Sequence, residues 1–88
     1  MHAVVVNLTI NEPEADLRAL RDGVVPLVSQ APGFVTGYWT RSGDAGLSMI
    51  VFDSKDAATA AAEQLRSALS DTVATLDSVD VREVVAHA

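Results

Sequence analysis

The segment from Ala3 to Ile10 is rich in β-branched side chains and restricts the fold more than any other part of the sequence. In a strand, alternate side chains point to opposite faces. The alternation here separates a wholly apolar set from a mixed set, namely Val4, Val6, Leu8 and Ile10 against Ala3, Val5, Asn7 and Thr9. We therefore predict a buried strand, which requires strand partners from the rest of the chain.

Two helical patterns follow. The first begins near residues 11–14, where Pro13 and neighbouring acids favour a helix start, and it continues with apolar residues at helical spacing. Gly23 and Pro26 interrupt its second half, which predicts a kink near Asp22. The second helix is predicted over the alanine-rich residues 57–69, with Ser54 as its N-cap.

Three further strands complete the pattern. The residues 34–41 and 47–52 are β-rich and flank turn residues at 42–44, which predicts an antiparallel hairpin. A polar stretch over 70–78 is predicted as a connection, and 79–86 as the fourth strand. The order βαββαβ predicts one α+β domain over residues 1–88, with a ferredoxin-like four-stranded antiparallel sheet and two helices on one face.

The predicted sheet has one face without helices. A chain of 88 residues without cysteine buries a modest core and has no disulfide to strengthen it. A bare apolar sheet face needs a cover, and a second copy packing sheet to sheet would supply one. We therefore expect a homodimer with a cleft lined by side chains that point away from the helices.

The charge balance argues against two classes of partner. The net charge is -6, which repels nucleic-acid phosphates and anionic lipid headgroups. The apolar run at residues 3–6 is too short for a signal-peptide core, and no stretch reaches the length of a transmembrane helix. We expect no nucleic-acid partner, no membrane partner and a cytoplasmic location.

The residues Pro32-Gly33-Phe34-Val35-Thr36-Gly37-Tyr38-Trp39, the Val51-Phe52-Asp53-Ser54 junction and the closing strand resemble the dimeric α+β barrel superfamily. Within it, the chain is similar to the antibiotic-biosynthesis-monooxygenase-like proteins. The resemblance implies homodimers whose sheets pack into a barrel, and cofactor-independent oxygenases that act on aromatic phenols. Asn7 also matches an asparagine of haem-degrading relatives, but the tryptophan and histidine that they need near the second helix are absent, so haem degradation is not expected.

Six side chains are candidates for binding a substrate: Asn7, Thr9, Tyr38, Trp39, Arg41 and Ser48. Asn7, with Thr9 beside it, would hydrogen-bond a carbonyl or phenolate oxygen, or would be satisfied within the protein. Trp39 and Arg41 would offer a stacking surface and a cation, or would serve interface packing and a surface charge. Tyr38 and Trp39 must face opposite ways, and alternation does not say which faces the cleft.

Two functions follow from these features. The first is a cofactor-independent monooxygenase acting on an aromatic or polyphenolic small molecule, with no catalytic residue assigned. The second is a noncatalytic module that binds a small ligand or acts as a dimeric interaction protein. The sequence contains no nucleophile set, phosphate-binding glycine loop or metal-ligand spacing, so no metal and no cofactor are expected. The first-helix acids Glu14, Asp16 and Asp22 are predicted to be a solvated face.

Overall fold

A computed structural model describes residues 1–68 and 74–88, and of Ala68 it describes the backbone. The strands are β1 (His2–Ile10), β2 (Phe34–Ser42), β3 (Ala45–Phe52) and β4 (Ala74–Glu83). The helices are α1 (Pro13–Ala19), α2 (Val25–Ser29) and α3 (Lys55–Ala68), and a π-helical turn (Leu20–Val24) joins α1 to α2. Leu69, the last residue of the predicted second helix, and residues 70–73 of the predicted connection lie outside the described residues.

The four strands form one antiparallel sheet in the order β2-β3-β1-β4. This order is that of a ferredoxin-like α+β fold, so the predicted fold class is confirmed. The helices lie over one face, where the apolar set of β1 packs against β3 and against α3. Val4, Ile50 and Phe52 are fully buried there, and the Phe34 and Phe52 rings meet edge to face with centroids 6.2 Å apart.

The kink predicted near Asp22 corresponds to the π-helical turn. The backbone N–H of Val25 donates to the Leu20 carbonyl, five residues back. Pro26 has no N–H to donate, and its ring would crowd the carbonyl four residues back in a regular α-helix. The wider π-helical turn accommodates both effects, so the helical segment continues to Ser29.

Glycine conformation and one cap shape the connections. Gly43 has φ 61° and forms a two-residue hairpin turn with Asp44, between the paired residues Ser42 and Ala45. The predicted cap of α3 is confirmed, because the N–H of Ala57 donates to Ser54 Oγ at 3.2 Å. These contacts set the hairpin register and the start of α3.

The start of β4 corrects the sequence prediction. Residues 74–78 were predicted to belong to a polar connection, yet they pair with the end of β1. Their polar members, Thr75, Asp77 and Ser78, belong to the sheet face without helices and bond to polar side chains of β1 and Asn11. The polar composition therefore reflects a solvent-facing strand side, and β4 runs to Glu83 instead of Ala86.

Candidate functional site

The six predicted site residues divide between the two faces of the sheet. The register pairs Tyr38 with Met49, whereas Trp39 pairs with Ser48, so Tyr38 and Trp39 lie on opposite sides. The face without helices carries Asn7, Thr9 and Tyr38, whereas the helix-covered face carries Trp39, Arg41 and Ser48. The six residues therefore do not line one common cavity.

We call the side without helices the open face, formed by Ala3, Val5, Asn7 and Thr9 of β1 and the residues beside them on β2, β3 and β4. Its centre is apolar and accessible: Tyr38 is 65% exposed, Met49 45% and Leu47 44%. Tyr38, Met49 and Val5 follow one another across three adjacent strands. Large side chains thus form a continuous apolar patch that the described helices leave uncovered.

One end of the open face is polar and internally bonded. Asn7 Nδ2 donates to Ser78 Oγ at 3.0 Å, and Thr9 Oγ1 donates to Asp77 Oδ2 at 2.8 Å. These bonds tie β1 to β4 across the bulge between Asn7 and Leu8. The amide of Asn7 therefore has a partner within the chain, which favours the structural role for this residue.

On the helix-covered face, a cavity lies between α1 and the end of β2. We call it the α1 cavity; its volume is about 100 Å³, and its lining residues are Asp16, Leu17, Leu20, Trp39, Thr40 and Arg41. A narrower void of about 20 Å³ extends beneath Trp39 to Ser48 and Leu65. Ligand pockets usually measure about 300 Å³ or more, so the α1 cavity is smaller than a typical ligand pocket.

The backbone of β2 leaves space for the Trp39 ring. A side chain at Gly37 would meet the Trp39 ring, since a Cβ there would lie 2.8 Å from Cη2 and 3.0 Å from Cζ3. Glycine at position 37 thus leaves room for the indole to lie along β2. The indole can then form the flat apolar wall of the α1 cavity.

Asp16 is the residue that the sequence prediction missed. Predicted to be solvated, it is only 7% exposed, because it lies on the side of α1 that meets the sheet. Burial away from water raises the pKa of the Asp16 carboxyl above its usual 3.8, and the nearby positive charge of Arg41 acts in the opposite direction. The sequence did indicate that Asp16 faces the sheet, because Asp16 precedes Leu20 and Val24 at steps of four residues.

The other surface depression and the remaining charged residues give weaker support for a binding site. A depression of about 700 Å³ beside Asp22 and Leu27 is wide and open to solvent. Within residues 1–68 and 74–88, no three His, Asp or Glu side chains converge as a metal site would require. No helix in the same part of the chain has both the length and the apolar character needed to cross a membrane.

No protein-family model matches this chain, and a comparison with functionally characterised proteins also finds no match. The open face and the α1 cavity are therefore the structural indications of its function.

Proposed function

We propose that the chain is a homodimeric small-molecule-binding protein, in which two open faces pack together and each copy binds a single-ring aromatic ligand in its α1 cavity. The observation that carries the dimer is the apolar patch of Tyr38, Leu47 and Met49 on a sheet face that the described helices leave bare. The resemblance to the dimeric α+β barrel proteins supports the same assembly.

A second copy suits this face better than an unrelated partner. Two sheets pack about 10 Å apart with their side chains interdigitated, and a symmetric pair brings the same patch from both sides. The polar end around Asn7 and Thr9 would form a hydrated rim, because its groups already bond within the chain. The apolar centre would supply the buried core of the interface.

The ligand site is supported by three different surfaces that meet at one cavity. Trp39 offers a flat apolar wall, Arg41 a cation and Asp16 a carboxylate. An aromatic ring bearing a hydroxyl group is complementary to this set, since the ring can stack on the indole while the oxygen meets charged groups. The volume of about 100 Å³ favours a single ring over a polycyclic one.

Intrinsic fluorescence tests the ligand site directly, because Trp39 is the single tryptophan of the chain. We expect phenol or catechol to change Trp39 emission in a saturable way, and cyclohexanol to bind more weakly because it lacks an aromatic face. Emission that does not respond to any single-ring phenol would contradict the ligand site. It would leave the homodimer as the remaining proposal.

The second candidate function is a cofactor-independent monooxygenase, and the meeting of Asp16, Trp39 and Arg41 at one cavity favours it. Such a reaction needs a bound phenol that becomes a phenolate and then reduces O2 itself. One oxygen atom enters the ring and the other leaves as water, which gives a quinone. The test is O2 uptake with hydroquinone or catechol above the rate of spontaneous oxidation, and uptake equal to that rate leaves the binding function alone.

A further inference from the structure

Among the helices of residues 1–68 and 74–88, α1 is the one that supplies no side chain to the hydrophobic core. The core takes buried apolar side chains from α3, Val28 from α2 and, at its margin, Val24 from the π-helical turn, but none from Pro13–Ala19. Segments with few buried apolar contacts open at a lower free energy than the segments that form the core. We therefore expect α1 to separate from the sheet more readily than α2 or α3.

The buried side chain of α1 is a carboxylate, that of Asp16, whereas Ala15 and Leu17 beside it are only half-buried. Burial raises the pKa of the Asp16 carboxyl against the opposing effect of Arg41, so the closed position of α1 disfavours the charged form. This contact therefore holds α1 to the sheet less firmly than a buried apolar side chain would.

The chain is anchored on both sides of α1. Before α1, Asn11 Nδ2 donates to Thr75 Oγ1 of β4 at 3.1 Å, and after it Val24 packs against the core. The π-helical turn lies between α1 and the second anchor. Its Gly23 is exposed, and a Cβ at this position would meet no atom within 4 Å. Glycine allows wide backbone freedom, and hinges are formed by a few residues at the ends of elements, so α1 can rotate here without moving the core.

We propose that α1 is a hinged cover over the α1 cavity, which rotates about the π-helical turn while the sheet, α2 and α3 keep their packing. Leu17 and Leu20 are the covering side chains, because they line the α1 cavity together with Trp39. Leu20 and Trp39 also border the narrower void that reaches Ser48. Rotation of α1 joins these spaces, of about 100 and 20 Å³, and opens them to solvent. The cover thereby controls entry to the cavity, and its action on a ligand rests on the ligand site proposed above.

Labelling of an introduced thiol tests the cover, because the chain has no cysteine of its own. Ser48→Cys places a thiol of similar size at a buried position that borders the void next to Leu20 and Trp39. Ala62→Cys is the matched control, because Ala62 is equally buried but belongs to α3, which packs into the core. Each folded protein is mixed with iodoacetamide, and the labelling rate is followed by mass spectrometry.

We expect the thiol of Ser48→Cys to be labelled at least about tenfold faster than that of Ala62→Cys, because α1 opens without exposing the core. Adding Gly23→Ala to Ser48→Cys should slow labelling about two- to fivefold, since alanine favours the helical conformation of the closed hinge. Adding Thr59→Ala instead raises helix propensity at an exposed position of α3 and should leave the labelling rate unchanged.

Equal labelling rates for Ser48→Cys and Ala62→Cys would overturn the cover, because both thiols would then be reached through the same global unfolding. A labelling rate that Gly23→Ala leaves unchanged would overturn the hinge at the π-helical turn. These outcomes are separate from those of the proposed function. A protein that is labelled as expected but binds no phenol keeps the cover and loses the ligand site.

Hydrogen exchange of the unaltered protein decides the same point if Ser48→Cys does not fold. The amide of Leu20 donates to the carbonyls of Asp16 and Leu17 at the end of α1, and the amide of Leu65 lies within α3. The Leu20 amide should exchange at least about tenfold faster than the Leu65 amide. Equal exchange rates of the two amides would overturn the cover.

Discussion

Met49→Ala should weaken the proposed dimer by an amount that follows from the exposure of Met49. Full burial of a methionine side chain stabilises by about 1.5–3 kcal/mol, so covering the 45% of Met49 that is exposed contributes about 0.7–1.4 kcal/mol per copy. A symmetric interface contains the residue twice, which doubles the effect to about 1.4–2.7 kcal/mol. The dissociation constant should therefore rise by roughly 10- to 100-fold.

Isothermal dilution calorimetry measures this constant for the unaltered protein and the variant. Leu27→Ala is the matched control, because Leu27 is 48% exposed but lies on α2, over the opposite side of the sheet. It removes a comparable exposed apolar side chain and should change the dissociation constant by less than about twofold. Equal weakening by both variants, or none by Met49→Ala, would refute the assignment of the open face as the interface.

Three further predictions concern stability, each from thermal or urea unfolding. Ile50→Ala should cost about 2–5 kcal/mol, because Ile50 is fully buried, and a loss below about 1 kcal/mol would contradict the core assignment. Ser54→Ala should cost about 1 kcal/mol through loss of the cap on Ala57 N–H, whereas an unchanged midpoint would argue against that cap. The stability that Asp16 contributes should be present below pH 3.8 and should be lost as the pH rises through the raised pKa of Asp16 in the folded state. The Asp16→Asn variant should not show this decline in stability. Parallel pH profiles of the two proteins would contradict the burial of a charge at this position.

Most of the regular elements could be predicted from hydrophobic period together with turn residues. The alternation of β1 places Val4 and Val6 on the covered face, as predicted. In α3, the buried residues Ala58, Ala61, Ala62 and Leu65 recur at helical spacing within the alanine-rich segment that was predicted to be a helix. Turn residues gave the β2-β3 hairpin, since Gly43 provides the left-handed conformation that its two-residue turn requires.

The faces of Tyr38 and Trp39 could not be predicted from alternation. The β2-β3 register shifts between Phe34 and Thr36, which inserts an extra residue into β2 and changes the side to which later residues point. A bulge arises from the pairing of two strands, so the sequence of one strand alone contains no periodic pattern that reveals it. The assignment of Trp39 to the helix-covered side therefore needed the three-dimensional register.

The burial of Asp16 and the start of β4 were missed for a related reason. Charge and polarity were taken as signs of solvent, but Asp16 lies in line with the apolar residues that α1 turns towards the sheet. Thr75 and Ser78 are polar because they belong to the open side of a paired strand. Composition reports the average environment of a segment, whereas the site depends on single positions within it.

Sedimentation equilibrium of the unaltered chain shows most directly whether a second copy covers the open face. The chain has a mass of 9.2 kDa, and we expect a species of twice that mass at high protein concentration, with reversible dissociation on dilution. A mass of 9.2 kDa across the whole concentration series would contradict the proposed homodimer. The apolar patch of Tyr38, Leu47 and Met49 would then belong to a stable monomer.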